Sequence, residues 1–290
     1  MTNNLSVPQN LQSMKKVLIV GCGDIGQRLA RYLEHDDYKI TGIRRNCPPD
    51  TLHIRYRSCD TSDYSAFKSV LEEGFNIIVI TMTPAERSDA GYRQAYVQTC
   101  CYLVEALNAL DLQPELIIFV SSTAVYAQDD GSWVDENSPT APTGFSGKRL
   151  LEAEAIIHNS GFTNTVVRFS GIYGPGRNRL IEQVKQGRAS ASEHFTNRIH
   201  AEDCACFLAH LIKHTGSLAP VYIATDSHPT PMVDVVSWIA GKLGIKDFLS
   251  GEAVNERGNK QLNNELMRST GYKLRYENFR QGYLEMINKN

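Results

Sequence analysis

The sequence has 290 residues, a formal net charge of −2 and 42% hydrophobic residues. This length suits one large domain, or a nucleotide-binding domain with a small second lobe. The near-neutral charge argues against a nucleic-acid partner, and the absence of an apolar run near ~20 residues argues against a membrane span.

The N-terminal segment, residues 1–14, is polar and lacks the apolar core of a signal peptide, so a loose tail is expected. The seven cysteines have irregular spacing and include no Cys-x-x-Cys pair, which predicts reduced thiols and a cytoplasmic protein. The segment His200–Cys206 contains metal-binding residue types, but no second ligand pair lies at zinc spacing. We predict no metal there and interpret the segment as a helix start with Asp203 as the N-cap.

Strand and helix signals alternate along the first two thirds of the chain. Short apolar runs predict strands at 16–21, 38–44, 53–59, 76–82, 116–121 and 165–169. Helical periodicity predicts a helix ending near Glu34 and further helices at 62–71, 92–110 and 146–158. This alternation predicts an α/β fold of the Rossmann type, with a doubly wound parallel sheet and ligands at the carboxyl ends of its strands.

The pattern becomes looser after residue 171. The predicted elements there are helices at 180–186, 203–214 and 232–243, a segment at 195–200 and a strand at 221–225. We therefore predict an NAD(P)-binding domain at 15–170. A small, partly discontinuous substrate lobe follows at 171–290, interleaved with the last elements of the sheet.

The first predicted strand leads into a Gly-x-Gly-x-x-Gly turn formed by Gly21, Gly23 and Gly26. In dinucleotide-binding turns the first glycine allows the tight turn, the second lets a pyrophosphate approach the backbone, and the third packs the helix on the strand. The helix N-terminus then offers free N–H groups to the phosphates. A glycine-rich turn without a ligand is the alternative, but the flanking strand and helix favour a dinucleotide site.

The second predicted strand ends in Arg44 and Arg45. A carboxylate at this point favours NAD, whereas an arginine accommodates the additional phosphate of NADP. We therefore predict NADP as the cofactor, with NAD as the alternative. Asp60, after the third strand, is a candidate to bond the adenine amino group, or to cap the following helix.

Three further segments resemble the NAD-dependent epimerase/dehydratase family of extended short-chain dehydrogenases/reductases. They are Val120–Tyr126, Arg168–Gly176 and Ile199–Asp203. The resemblance covers nearly the whole chain from Lys16. The glycine spacing, the Asn259-Lys260 stretch and the small C-terminal lobe are most similar to an atypical, YeeZ-like branch of the family.

The resemblance implies a catalytic Ser/Thr, Tyr and Lys. The Tyr moves the proton, and the Lys four residues later holds the nicotinamide ribose and lowers the pKa of the Tyr. Ser122 matches the Ser/Thr position and Lys148 matches the Lys position, but Gly144 stands at the Tyr position. Gln98 also stands where many relatives have an Asn that organises the proton relay. The resemblance thus implies a cofactor site whose proton relay is altered at two places.

A water molecule or another tyrosine could replace the missing proton donor, and our predicted catalytic residues are Ser122, Lys148 and Tyr126. Tyr92, Tyr96 and Tyr173 are alternatives, and packing in the core or at the rim is the other interpretation of each tyrosine. The predicted cofactor-binding residues are Gly21, Gly23, Asp24, Ile25, Gly26, Arg44, Arg45, Asp60, Thr81, Ser121, Lys148, Phe169 and Ile172.

Four arginines have two interpretations each. Arg168 either reaches a substrate or braces the sheet edge. Arg177, Arg179 and Arg198 either bind a phosphorylated or nucleotide-linked substrate or serve surface solubility. By analogy with relatives, a homodimer through the helices at 92–110 and 146–158 is expected.

These observations together predict an NADP(H)-dependent oxidoreductase or epimerase-like enzyme. Its expected substrate is a small polar molecule such as a nucleotide sugar. The alternative is an NADP(H)-binding redox sensor or regulator without catalytic activity, which the missing Tyr suggests. A pure scaffold is a third interpretation, and the two arginines at the second strand argue against it.

Overall fold

The computed structural model describes residues 14–34, 38–190, 192–214, 216, 218–249 and 258–289. The predicted N-terminal tail lies outside these residues, apart from Met14. The strands are β1 (Lys15–Val20), β2 (Tyr38–Arg44), β3 (Arg55–Ser58), β4 (Ile77–Ile80), β5 (Leu116–Ser122), β6 (Trp133–Val134), β7 (Asn164–Phe169), β8 (Gly171–Tyr173), β9 (Phe195–Thr196), β10 (Arg198–His200), β11 (Val221–Ala224), β12 (Thr230–Pro231) and β13 (Gln261–Leu262). The α-helices are α1 (Asp24–Leu33), α2 (Tyr64–Leu71), α3 (Asp89–Tyr92), α4 (Thr99–Ala109), α5 (Phe145–His158), α6 (Arg179–Lys185), α7 (Ala201–Lys213), α8 (Met232–Leu243), α9 (Glu265–Ser269) and α10 (Phe279–Asn288).

Seven strands form one parallel sheet, in the order β11-β7-β5-β4-β1-β2-β3. The chain builds outward from β1 to β3 and then crosses to β4 on the other side, so the strand order reverses at β1. The central strands are apolar on both faces because helices cover both, and residues 17–20 are fully buried. The predicted doubly wound, Rossmann-type fold is confirmed, and such a sheet places its ligand at the switch point beside β1.

Each face of the sheet has its own apolar core. On one face α1 and α7 pack together on the sheet, around side chains such as Phe207. On the other face α2, α4 and α5 cover it, around side chains such as Phe67. A third cluster, from α6, α8 and α10, forms a small C-terminal lobe that includes Phe279. No α-helix in the part of the chain that the structure describes is long and apolar enough to cross a membrane.

The predicted helix at 92–110 consists of three pieces: α3, a π-helix (Arg93–Gln98) and α4. The hydroxyl of Thr99, the first residue of α4, lies 3.5 Å from the carbonyl oxygen of Gln94 in the π-helix. Side-chain bonds to carbonyl groups of a preceding turn commonly accompany such irregular helix geometry. The π-helix places Gln94 on the wall of a cleft at the carboxyl edge of the sheet.

The N-cap of α7 is His200, so the predicted capping role of Asp203 is wrong. The Nδ1 atom of His200 accepts a hydrogen bond from the Glu202 amide at 3.2 Å, and burial lowers the pKa of His200 to about 4. Asp203 is fully buried, and its carboxylate accepts the Tyr272 hydroxyl at 2.7 Å and two backbone amides that follow Tyr272. Asp203 therefore anchors the C-terminal segment to α7. Across the described ranges, no group of three or more His, Cys, Asp or Glu side chains could hold a metal ion.

Candidate functional site

A cleft of about 250 Å³ lies at the carboxyl edge of the sheet, beside β1. It brings together five predicted cofactor-binding residues, which are Gly21, Gly23, Arg44, Arg45 and Asp60. The loop after β4 and the π-helix supply the opposite wall. The elements that follow β1, β2, β3 and β4 thus meet at the switch point where a doubly wound sheet binds its ligand.

A different physical reason accounts for the glycine at each of the three positions of the turn. Gly21 has a φ of +78°, and a Cβ there would lie 2.9 Å from the backbone of Met82. A Cβ at Gly26 would lie 2.8 Å from the side chain of Ile19, so Gly26 brings α1 close to β1. A Cβ at Gly23 would meet only the Gly21 oxygen, at 3.8 Å, so the fold itself does not require glycine at this position. A ligand approaching the backbone does supply a reason for Gly23.

The first turn of α1 has no side-chain cap, because its N-cap residue is Gly23. Its amide groups are therefore available to an anion at the mouth of the turn. The Thr81 hydroxyl donates to the Gly21 carbonyl oxygen at 3.0 Å, which fixes the turn from behind. Asp24 is exposed, and Ile25 is buried against the sheet.

Two arginines and one carboxylate line the end of the cleft that the sequence predicts to hold the adenosine. Arg44 is half-buried and Arg45 is exposed. Hydrogen bonds from the Ser62 amide and hydroxyl, at 3.0 and 2.8 Å, lower the pKa of Asp60, and Arg45 adds a weaker attraction. The cap of α2 is Asp63, which accepts the Ala66 amide at 3.0 Å, so Asp60 is not needed for capping.

Three of the other predicted cofactor contacts have different surroundings. Phe169 is only 2% exposed and lies in the core beneath the sheet edge. Ser121 is buried, and its hydroxyl donates to Glu154 at 2.5 Å. Ile172 in β8 is half-buried and packs against the same core as Phe169. The side chains of Ser121 and Phe169 are thus committed to the interior, which leaves only their backbone for a ligand.

A buried polar network joins β5, α5 and β7. The Arg168 guanidinium donates to both Glu154 oxygens, at 3.1 and 2.6 Å, and to the Tyr126 hydroxyl at 2.7 Å. Ser121 completes the network through Glu154. Arg168 therefore braces the sheet edge, which was one of its two interpretations. Sequence reasoning missed Glu154, although a glutamate among the apolar inward positions of a helix was the available signal.

The environment of Tyr126 argues against its predicted role in proton transfer. Its side chain is 2% exposed, and its hydroxyl oxygen is occupied by the hydrogen bond from Arg168. Burial raises its pKa to about 12, although Arg168 opposes this shift. Tyr96 and Tyr173 are also largely enclosed, and burial raises the pKa of both. Tyr92 is half-buried, with its ring 5.4 Å from that of Phe145.

Ser122 is half-buried at the carboxyl end of β5. Its hydroxyl accepts the Ala124 amide at 3.2 Å and caps a short 3-10 turn (Thr123–Val125). The α5 helix packs on this turn through Gly147, where a Cβ would lie 2.5 Å from the Ala124 carbonyl oxygen. The N-terminal end of α5 thus lies directly beside Ser122.

The orientation of α5 argues against the predicted contact of Lys148 with the nicotinamide ribose. The buried row of this helix includes Gly147, Leu150 and Glu154, whereas Lys148 is exposed and lies about half a turn away from the middle of that row. The half-buried residue in the first turn that lies on the inward row is Ser146. The two residues that are four positions apart and face inward are therefore Ser146 and Leu150. Each lies two positions after its counterpart in the predicted pair, Gly144 and Lys148.

Replacing Lys148 with alanine is expected to change NADPH affinity by less than about twofold, because the ammonium faces solvent. Isothermal titration of the purified variant with NADPH measures this. A tenfold loss of affinity would show that Lys148 does reach the ribose. Ser122→Ala is the companion variant, since Ser122 is the other residue predicted from the family's catalytic motif.

The arginines of the lobe differ in their surroundings. Arg177 pairs with Asp24 in the first turn of α1, with its Nη2 atom 3.1 Å from the carboxylate. Arg198 is buried and donates to Thr196 and to the sulfur of Met232. Arg179 is exposed at the start of α6. Of the three, Arg177 is the one in contact with the predicted pyrophosphate helix.

Comparison with known proteins finds a matching family profile and a similar bacterial protein. The profile of the NAD dependent epimerase/dehydratase family matches residues 17–219. Protein YeeZ of Escherichia coli K12 is 32% identical over 230 residues, which are 74% of this chain and 80% of that protein.

Two solved structures resemble nearly the whole chain. An NAD-dependent epimerase/dehydratase structure from Methylobacillus flagellatus is 35% identical, covers 96% of this chain and 99% of its own, and has a TM-score of 0.81. The Bordetella bronchiseptica enzyme WbmG, solved with NAD and UDP, shares the fold at 14% identity, with a TM-score of 0.79 and 96% of both chains covered.

Proposed function

Because the chain belongs to the NAD-dependent epimerase/dehydratase family, we propose that it binds NADP(H) and transfers hydride to or from a small polar substrate. The observation that carries this proposal is the single cleft lined by both the glycine turn and the Arg44-Arg45 pair. The nicotinamide group supplies the hydride chemistry when it is bound. The chain supplies the anion-binding turn, the charge at β2 and a hydroxyl at the end of β5.

The preference for NADP rests on charge at the end of β2. Arg44 and Arg45 bring two guanidinium groups to the place where the ribose 2′ position lies in this fold. Guanidinium groups bind phosphates through paired, charge-assisted hydrogen bonds. The carboxylate that selects a ribose hydroxyl is absent from this strand end.

The proposed substrate class is supported by a hydroxyl at the end of β5 and by a structure that shares the fold. We propose that Ser122, half-buried at the end of β5, hydrogen-bonds the substrate oxygen whose carbon gains or loses the hydride. The shared fold of WbmG, solved with NAD and UDP, supports a nucleotide-linked substrate. We propose that a bound water or the substrate itself carries the proton, since α5 presents Ser146 and Leu150 inward.

Arg44→Asp is expected to weaken NADPH binding by about tenfold or more, because it replaces a charge-assisted bond with a repulsion. NADH affinity is expected to change by less than about threefold. Isothermal titration of the apo-protein with each nucleotide measures both values. Arg280→Asp, at an exposed position on α10, is the matched control. Equal losses of affinity for NADPH and NADH would contradict the assignment of NADP as the cofactor.

The orientation of α5 also favours a second candidate, an NADP(H)-binding sensor. A site without an inward tyrosine or lysine on this helix retains the nucleotide while losing acid–base chemistry. A partner that is captured with NADPH but released with NADP⁺ supports the sensor. Turnover of any carbonyl or sugar substrate, followed by NADPH absorbance, supports the enzyme.

A further inference from the structure

The stretch of chain that follows β4 forms one wall of the cleft, to which it contributes Thr83, Ala85 and Gly91. The structure describes residues 81–94 in full, and none of them is buried. The chain is buried immediately before this stretch, in β4, and again after it, in the π-helix. Moving the stretch away from the cleft would therefore expose little apolar surface, so packing alone holds it only weakly.

The middle of this wall, residues 86–91, folds back on itself. The hydroxyl oxygen of Ser88 accepts the Gly91 amide at 3.1 Å and caps α3. A Cβ at Gly91 would lie 2.5 Å from the Glu86 carbonyl oxygen, so this close approach requires glycine. The turn and α3 therefore form a compact unit between two buried ends of the chain.

Two contacts with α5 hold this unit in place. Arg149 donates from Nε and Nη2 to the two carboxylate oxygens of Asp89, each at 2.8 Å. The rings of Tyr92 and Phe145 meet edge to face, with their centroids 5.4 Å apart. Paired bonds between a guanidinium and a carboxylate fix the relative orientation of the two groups as well as their distance. The Asp89–Arg149 pair thus sets the position of the wall relative to α5.

The strength of this pair suits a contact that opens and closes. Glu152, in the same helix as Arg149, accepts the third bond of the guanidinium at 2.7 Å and so orients it towards Asp89. Exposure to solvent reaches 53% for the Asp89 side chain and 28% for that of Arg149. An exposed ion pair contributes little to the stability of a fold. It is nevertheless sufficient to bias the position of a wall that buries none of its residues.

We propose that residues 83–92 form a gate over the dinucleotide cleft, and that the Asp89–Arg149 pair is the clamp that keeps this gate closed. The proposal rests on the proposed function, because the gate controls entry and exit of the nucleotide. Asp89 and Arg149 are positioning residues, since neither lines the cleft. Because the pair does not touch the nucleotide, it slows binding and release alike and leaves the affinity nearly unchanged.

The first test is stopped-flow measurement of NADPH binding to Asp89→Asn and Arg149→Gln, followed by the fluorescence of the nucleotide. In each variant the association and dissociation rate constants are expected to rise together by about two- to fivefold, the range for the loss of an exposed ion pair. The dissociation constant is expected to stay within about 1.5-fold of the parent value. The double variant should match either single variant, because the second substitution finds the clamp already lost.

Glu152→Gln is the matched control. It removes the partner of Arg149 that lies within α5 and leaves the bonds to Asp89 in place, so both rate constants should equal those of the parent. Unchanged rate constants in Asp89→Asn and Arg149→Gln overturn the proposal. Faster release with unchanged association also overturns it, because that pattern indicates a lost contact with the nucleotide itself.

Hydrogen exchange of the nucleotide-free protein tests the clamp without relying on the proposed function. The backbone amides of residues 86–94 are expected to exchange about two- to fivefold faster in Asp89→Asn and Arg149→Gln than in the parent or in Glu152→Gln. Equal exchange in all four proteins overturns the clamp. Failure of the parent protein to bind NADPH in a separate titration, with the faster exchange present in the variants, counts instead against the proposed function.

Discussion

Replacing Glu154 with leucine is expected to lower the free energy of unfolding by about 3–5 kcal/mol, the range found when one partner of a buried ion pair is removed. Arg168 is 6% exposed and donates to both oxygens of Glu154, so the substitution leaves its charge unpaired in the interior. Ser121 loses its acceptor at the same time. Urea unfolding followed by circular dichroism measures the change.

Two controls identify the cause of this loss. Glu152→Leu removes a carboxylate of the same helix that pairs with Arg149 at the surface, and it should cost less than about 1 kcal/mol. The double variant Glu154→Leu/Arg168→Met removes both charges and should recover much of the lost stability. If Glu154→Leu unfolds at the same urea concentration as the parent, the network does not stabilise the junction of β5, α5 and β7.

Replacing Gly23 with leucine is expected to reduce NADPH affinity by at least about 100-fold, which corresponds to ~2.7 kcal/mol. The added side chain occupies the space through which a pyrophosphate reaches the turn. The folded chain itself has room, because a Cβ at Gly23 meets only the Gly21 oxygen at 3.8 Å. The cost in stability should therefore stay within about 1 kcal/mol. Nucleotide titration and thermal unfolding give the two values.

Gly21→Leu provides the contrast. Gly21 has a φ of +78° and approaches the backbone of Met82, so a side chain there is expected to destabilise the fold as well as the site. Gly241→Leu, in an open position on α8, should alter neither property. Normal NADPH affinity in Gly23→Leu would mean that the dinucleotide binds elsewhere.

The sheet was predictable from the sequence because buried parallel strands are continuous apolar runs. The strand at 38–44 was predicted with its observed bounds, and the other sheet strands differ by one to three residues at their ends. The glycine turn was predictable for a related reason, since the spacing of Gly21, Gly23 and Gly26 follows from backbone geometry. These features depend on local sequence, which is why they could be derived without a structure.

The residues predicted to be catalytic were less predictable, because their placement depends on how far a helix is rotated about its axis. Lys148 was assigned by spacing from a motif, but the packing of Gly147 against the turn after β5 decides which side of α5 faces inward. The same limitation explains the wrong prediction that Asp203 caps α7. Its carboxylate oxygens accept hydrogen bonds from residues about seventy positions away in the sequence. Contacts between distant parts of the chain are not encoded in a local pattern.

The ion pairs of α1 have a consequence for engineering of this chain. Arg28 pairs with Glu202 of α7, and Asp24 pairs with Arg177 of the turn after β8. The helix that follows the glycine turn is thus held in place by the C-terminal third of the protein, which also supplies β11 to the sheet. A chimera that exchanges everything after residue 170 for the lobe of a relative would remove these braces. New substrate specificity is therefore better sought in exchanges that retain both Glu202 and Arg177.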